Sequence, residues 1–257
     1  MKHTPRLFLL VLVAALLAAC ASTPESGMTQ SRREKASRIN TQLAMAYLQK
    51  GELERARDKV NKAINQNPDY ADAHMVSGVL HERLEDPDKA REEYERAMEL
   101  EPKDPTLLNN YGRFLCEHGE YDKAIDHFQK AAANRLYKKP ELALSNAGIC
   151  AERQNKPERA EHFFLAALDH NSRFSSALFH MAERRFNQKQ YLSARGFYQR
   201  YLAVADQTAK SLWLGVRIEH ALGNEDAVAS YSLLLRDKYP ESEETRKLLE
   251  WQGNDRQ

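Results

Sequence analysis

The stretch "GVLHERLEDPDKAREEYERAMELEP", residues 78–102, contains one complete helix-turn-helix pattern. Small residues stand at Gly78, Ala90 and Ala97, and the bulky Tyr94 lies between the last two. A small side chain on each helix lets two helices approach closely, and a bulky one fills the groove between them. Pro102 ends the second helix, because proline has no N–H to donate and clashes with the preceding turn. The stretch therefore predicts a pair of packed helices.

The same spacing recurs before and after this stretch. Each set has three small residues, the second twelve positions after the first and the third seven positions after the second. The sets are Ala44/Ala56/Ala63, Gly78/Ala90/Ala97, Gly112/Ala124/Ala131 and Gly148/Ala160/Ala167. Bulky residues keep the same register at Val60, Tyr94, Phe128 and Phe164. The first three sets start 34 residues apart, which is the period of the tetratricopeptide repeat, or TPR.

Two further units follow in which the third small residue is replaced by a large one. They comprise Ala182/Ala194 with Tyr198 and Tyr201, and Gly215/Ala227 with Tyr231 and Leu234. Large residues at this position predict looser or differently angled packing onto the following element. The whole pattern predicts an all-α, right-handed TPR solenoid of six repeats, at residues 37–70, 71–104, 105–140, 141–174, 175–207 and 208–241. We expect residues 242–257 to form a short helix and tail that cap the open end.

The N-terminal segment has the composition of a secretory signal. Lys2 and Arg6 precede an apolar run over 7–17, which is shorter than the roughly 20 residues of a transmembrane helix. The tetrapeptide "LAAC", ending at Cys20, resembles the lipobox of bacterial lipoproteins, and the resemblance implies cleavage after residue 19 and acylation of Cys20. The alternative is an ordinary secreted protein in which Cys20 has no such role. The polar residues after Cys20, with Pro24 and Gly27, predict a flexible tether over 20–36.

Composition excludes several classes of function. Removal of residues 1–19 deletes two of the 38 basic residues and none of the 37 acidic ones, which leaves a net charge of about −1. A surface of balanced charge does not favour nucleic acid. The "HERLE" segment at His81 lacks the second histidine of a zinc-protease helix, and the chain has no phosphate-binding glycine loop. We therefore expect no enzymatic activity, no catalytic or metal-binding residues, no small-molecule substrate and no cofactor apart from the lipid on Cys20.

In such a solenoid the first helix of each repeat lines the concave surface, where we expect a protein partner to bind. The repeat register assigns to this surface Thr41, Met45, Leu48, Met75, Val79, Glu82, Asn109, Arg113, Ser145, Ile149 and Glu152. Thr41 and Met45 stand where carboxylate-binding TPR proteins carry lysine and asparagine, so the sequence predicts no carboxylate clamp. The apolar members from the first two repeats would suit an apolar strand or helix of a partner. The alternative is that part of this stripe is core between helices.

Cys116 and Cys150 lie in the first helices of the adjacent third and fourth repeats. A periplasmic location would expose them to oxidising conditions. Helix axes are usually 8–10 Å apart, whereas the two Cα atoms of a disulfide lie within about 7 Å. The sequence leaves a disulfide and two buried free thiols as alternatives.

The full chain resembles the type IV pilus biogenesis lipoproteins of the PilF/PilW family, the pilotins. Besides the lipobox and six TPRs, two stretches carry the resemblance: "NNYGRFLCEHGEYDKA" at 109–124 and "NAGICAERQNKPERAEHFFLAAL" at 146–168. The resemblance implies a lipoprotein on the periplasmic face of the outer membrane. It also implies that the partner is the secretin subunit of the pilus, whose localisation and multimerisation such proteins promote for twitching motility. Ala21, rather than aspartate, agrees with sorting to the outer membrane.

The alternative function is that of a TPR lipoprotein adaptor for cell-wall enzymes or for outer-membrane protein assembly. The regularity of the repeats favours the pilotin, because the repeats of the assembly component are longer and more divergent.

Overall fold

The computed structural model describes residues 29–254, and this range contains α-helices and no β-strand. The helices are α1 Gln30–Gln49, α2 Leu53–Gln66, α3 Ala71–Arg83, α4 Pro87–Leu100, α5 Pro105–Glu117, α6 Tyr121–Ala133, α7 Pro140–Arg153, α8 Pro157–His170, α9 Ser175–Asn187, α10 Tyr191–Leu202, α11 Ala209–Ala221, α12 Glu225–Lys238 and α13 Glu243–Asn254. The prediction of an all-α fold built from TPR helix pairs is confirmed. No helix in this range is long and apolar enough to cross a membrane.

The chain divides into two compact units, with the boundary between Leu100 and Glu101. In the first unit α1 packs against α2 and α3 packs against α4, and α3 also contacts both α1 and α2. The small residues of the first repeat lie in its core, since Ala44, Ala56 and Ala63 are each at most 1% exposed.

The second unit contains four further pairs, α5–α6, α7–α8, α9–α10 and α11–α12, followed by α13. The last helix contacts both α11 and α12. It contributes the fully buried Leu248 to an apolar cluster with Leu212, Val216 and Leu235. Helix α13 therefore covers the apolar side of the last pair within this unit.

The repeat spacing follows from direct contact between a glycine and an aromatic ring in the same helix pair. A methyl group at Gly78 would lie 3.0 Å from the Tyr94 ring, and one at Gly148 would lie 2.5 Å from the Phe164 ring. Both rings are completely buried. Glycine is favoured at both positions because an added side chain would press on the ring that fills the groove, most severely at Gly148.

Tyr198 does not follow this arrangement. Its ring packs on Gly215 of the next repeat, where an added methyl group would lie 2.6 Å from the Tyr198 hydroxyl oxygen. The neighbouring Tyr201, which replaces a small residue, is buried and donates a hydrogen bond of 3.0 Å to the carbonyl of Asp206. A large residue at this position thus coincides with different packing onto the following repeat.

The start of α1 corrects the predicted tether over 20–36, because the chain is helical from Gln30. Residues 30–36, "QSRREKA", are mostly strong helix formers, and Gln30 donates a hydrogen bond of 3.1 Å to Glu34 one turn later. The predicted signal peptide, Cys20 and the rest of the tether lie outside the described residues.

Candidate protein-binding surfaces

The structure corrects the expected concave stripe of the first unit. Thr41, Leu48 and Met75 are 5%, 3% and 6% exposed. They are interior because α1, α2 and α3 pack against one another at these positions. These three residues therefore belong to the core between helices, which was the alternative that the sequence left open.

The remaining predicted residues of the first unit stay partly accessible. Met45 and Val79 are half-buried. Glu82 is also half-buried, and its carboxylate accepts a short hydrogen bond from the Tyr94 hydroxyl. Glu82 therefore anchors the ring that fills the second repeat.

In the second unit the predicted residues lie on two neighbouring helices. The Asn109 Oδ1 accepts a hydrogen bond of 3.0 Å from the amide of Asn146, and Asn109 is 6% exposed. Arg113 lies 3.1 Å from Glu117 on its own helix, and Ile149 is half-buried. The Asn109–Asn146 contact links α5 to α7, so Asn109 has a structural role.

Sequence reasoning missed an apolar surface on the opposite side of α1. Ile39 and Leu43 are 47% and 40% exposed, one turn apart, and the exposed Ala46 lies on the same side. The buried side of this helix is formed by Ser37, Thr41, Ala44 and Leu48. We call Ile39, Leu43 and Ala46 the open apolar face.

The second repeat explains why this face is open. The residues 34 positions after Ile39, Leu43 and Ala46 are Ala73, Ser77 and Leu80. All three are at most 3% exposed, because α3 packs against the preceding pair of helices. Helix α1 has no preceding pair among residues 29–254. The sequence contains a signal for this face, because Ile39 and Leu43 occupy repeat positions that contact a preceding helix pair in the second repeat.

A cleft of about 620 Å³ lies in the second unit, beside the connection between α6 and α7. Its lining includes Asn109, Asn110, Tyr137, Lys138 and Lys139. Burial, and then the carboxylates of Glu141 and Asp104, raise the pKa of Tyr137 to about 12, so its hydroxyl stays protonated at neutral pH. The carboxylates of Glu101 and Asp104 also line the cleft, so it offers both donors and acceptors to the backbone of an extended peptide.

A second cleft in this unit is acidic and has a volume of about 440 Å³. Glu152, Glu158 and Glu183 line it. The nearly buried Arg184, which also lines it, lies 3.1 Å from Glu161 and is thereby neutralised. Glu183 lies 3.9 Å from Arg217 and Glu152 lies 3.0 Å from His180, so the negative charge of this cleft is partly offset.

A disulfide joins Cys116 on α5 to Cys150 on α7, with Cα atoms 5.7 Å apart. Of the two alternatives that the sequence left open, the structure contains the bridge. It covalently links the first helices of two successive repeats within the second unit.

The histidines and acids of the described range do not form a metal site, since no group of three or more such side chains clusters there. His74 lies 2.6 Å from a Glu93 carboxylate oxygen and 2.8 Å from the carbonyl of Pro68. Both partners are acceptors, so this geometry favours the protonated imidazole, in which both ring nitrogens donate. Burial lowers the pKa of His74, but the hydrogen bonds to Glu93 and Pro68 outweigh it and the net pKa is raised. His74 is therefore part of a structural ion pair.

Sequence profiles described as tetratricopeptide repeat match residues 41–105 and 104–171. The type IV pilus assembly protein PilF of Pseudomonas aeruginosa is 32% identical over 241 residues, which cover 93% of this chain and 96% of PilF. A solved structure of P. aeruginosa PilF superposes with a TM-score of 0.77 at 32% identity, covering 84% of this chain and 98% of PilF. The crystal structure of PilW, a widely conserved type IV pilus biogenesis factor, gives a TM-score of 0.75 at 31% identity over 83% of this chain and 98% of PilW.

Proposed function

We propose, because this chain belongs to the PilF/PilW family of type IV pilus TPR proteins, that it is a pilotin anchored by lipid at the periplasmic face of the outer membrane. In this proposal it binds the secretin subunit of the pilus and promotes its localisation and multimerisation, and so pilus biogenesis and twitching motility. The family consists of protein-interaction scaffolds, and the mechanism needs no catalysis.

The acyl chains on Cys20 would attach the protein to the outer membrane. Each buried CH₂ contributes about 0.8 kcal/mol, so several chains attach a protein far more firmly than one. A secretin subunit bound to the anchored protein is held at the membrane, where its local concentration relative to other subunits rises. Assembly of the ring is then favoured there without any covalent chemistry.

The open apolar face is the single observation that best supports a binding site in the first repeat. Exposure of two large apolar side chains to water is unfavourable, and their burial by a partner contributes about 25 cal/mol of stabilisation for each Å² buried. The face occupies the same repeat positions through which α3 packs against the preceding helix pair. We propose that an apolar helix or strand of a secretin subunit docks on Ile39 and Leu43 as a further repeat would. The half-buried Met45 and Val79 form the second candidate surface in this unit.

Charge substitutions on the two surfaces distinguish them. In the full-length protein, Ile39→Glu with Leu43→Glu should reduce capture of purified secretin subunit about tenfold or more. The matched control is Leu192→Glu with Leu233→Glu, because these leucines are 73% and 62% exposed and lie in the second unit. Equal melting temperatures would show that all variants are folded. Undiminished capture by the Ile39/Leu43 variant would contradict this surface, and loss with Met45→Glu and Val79→Glu instead would place the site at the second candidate.

The anchor has its own test. Mass spectrometry of the mature protein should find an N-terminal acylated Cys20, and Cys20→Ser should release the protein from outer-membrane fractions. We expect secretin multimers in that variant to be reduced or displaced, while the purified domain still captures secretin. Unchanged outer-membrane rings would contradict the escort mechanism.

A further inference from the structure

The first two turns of α1 extend beyond the packed part of the first repeat. Helix α1 has 20 residues, whereas its partner α2 has 14. Residues 30–35 are exposed, Ala36 is half-buried, and the first buried side chain is Ser37. At 1.5 Å per residue, about 10 Å of helix therefore stands clear of the core on the side of the N-terminus.

This extension and the next residues carry a concentrated positive charge. Arg32, Arg33, Lys35 and Arg38 are all exposed. The one acid between residues 30 and 38 is Glu34, which accepts a hydrogen bond from Gln30. Within residues 29–254 none of the four cations forms an ion pair with a carboxylate, and Arg38 donates a hydrogen bond to the Tyr70 hydroxyl. The partial positive charge of the helix N-terminus adds to theirs.

Arg32 lies twelve residues after Cys20, so a fully extended chain keeps it within about 40 Å of that residue. An acyl group on Cys20, which is part of the proposed function, would hold the cations close to a membrane surface. We infer that Arg32, Arg33, Lys35 and Arg38 bind the phosphate headgroups of anionic phospholipids, so that the start of α1 rests on the membrane surface. We call these four residues the basic helix start.

Electrostatic attraction is sufficient for such binding, since each lysine or arginine near an anionic surface strengthens it about fivefold. Attraction of this kind needs no pocket, only exposed cations that no carboxylate neutralises, and the basic helix start meets this condition. It also fixes an orientation. Lys35, Ile39 and Leu43 follow Arg32 by three, seven and eleven residues, so all four lie on the same side of α1. Headgroup contact therefore places the open apolar face next to the membrane.

The test uses the unlipidated mature chain, residues 20–257 with Cys20→Ser, so that binding depends on side chains alone. Co-sedimentation is measured with vesicles of phosphatidylethanolamine and 30% phosphatidylglycerol and with vesicles of phosphatidylcholine, at millimolar lipid. We expect binding only to the anionic vesicles, with a loss of about tenfold or more between 50 and 500 mM salt.

A charge-matched pair of variants makes the test specific. Arg32→Glu, Arg33→Glu and Lys35→Glu together should lower the partition coefficient about tenfold or more. Lys50→Glu, Arg57→Glu and Lys62→Glu reverse three exposed cations elsewhere in the first unit and should change it at most twofold. Equal effects of the two triple variants, or equal binding to neutral vesicles, would overturn the inference.

The remaining alternative occupant is an acidic segment of a protein partner. In detergent without vesicles, the Arg32/Arg33/Lys35 variant should capture secretin subunit as the unchanged chain does. Loss of capture there, with vesicle binding retained, would assign the cations to the partner and overturn the lipid contact. The vesicle assay contains no secretin, so it can succeed or fail independently of the proposed function.

Discussion

Gly148 on α7 lies directly against Phe164 on α8, and a methyl group at Gly148 would stand 2.5 Å from the nearest ring carbon. Phe164 is completely buried and has no room to withdraw. We expect Gly148→Ala to lower the free energy of unfolding by about 1–3 kcal/mol in urea titrations, despite the better helix propensity of alanine.

Gly196 provides the control, because it lies inside α10 and nothing would contact an added methyl group within 4 Å. Gly196→Ala should be neutral or stabilising by up to about 1 kcal/mol. If both substitutions changed the free energy of unfolding in the same direction, the contact at Gly148 would not be the cause.

The disulfide between Cys116 and Cys150 closes a loop across one repeat, with a sequence separation of 34. Its reduction should lower the free energy of unfolding by about 2–4 kcal/mol, because the unfolded chain regains the entropy of the open loop. Urea unfolding with and without dithiothreitol measures this difference, and Cys116→Ser with Cys150→Ser should abolish the effect of the reductant. Alkylation of both cysteines under denaturing, non-reducing conditions would show instead that the bridge is absent.

Protonated His74 bridges Glu93 and Pro68, and its pKa is raised above the usual 6.5. A proton bound more tightly in the folded state stabilises that state. The stabilisation is complete below pH 6.5 and is lost as pH rises through the folded pKa, and the nearby Arg96 limits its size. We expect the free energy of unfolding to fall over this interval, and His74→Asn to flatten the profile.

The control for the pH profile is His162→Asn, since His162 is exposed on α8. This variant should retain the slope of the unchanged protein. A profile for His74→Asn that matches the unchanged protein would show that other groups cause the pH dependence.

Glu219 is a nearly buried carboxylate, 4% exposed, that accepts two hydrogen bonds from Arg195 and one of 2.9 Å from Asn224. Arg195→Ala would leave the Glu219 carboxylate with only the neutral donor Asn224. We expect the free energy of unfolding to fall by about 2–3 kcal/mol, less than for a fully buried pair. Arg159→Ala breaks the exposed pair with Asp122 and should cost at most about 1 kcal/mol. Similar losses in chemical denaturation would contradict the role of burial.

The packing register could be predicted from the sequence, whereas the accessible surface could not. Gly148 and Phe164 occupy positions set by local helix periodicity, and their contact depends only on one helix pair. Exposure of Thr41, Leu48 and Met75 depends on how several helices meet, which the period does not specify. Ile39 and Leu43 resemble core residues in the sequence and are exposed because no helix pair precedes them among the described residues.

The helical start at Gln30 was missed for a different reason. Residues 20–36 lack the apolar periodicity that indicates a helix, and their polar character predicts a tether. Arginine, lysine, glutamate and glutamine are polar but favour helices when the helix is already nucleated by packed turns further along. Polarity alone therefore did not distinguish a solvated helix from coil.

The Tyr198 ring, seated on Gly215 of the following repeat, has a consequence for shortening the protein. A chain truncated after residue 207 would lose the surface on which this large ring rests, as well as the buried partner Glu219 of Arg195. The fifth repeat is therefore a poor place to end an expression fragment. A deletion that removes the sixth repeat alone should therefore also destabilise the fifth.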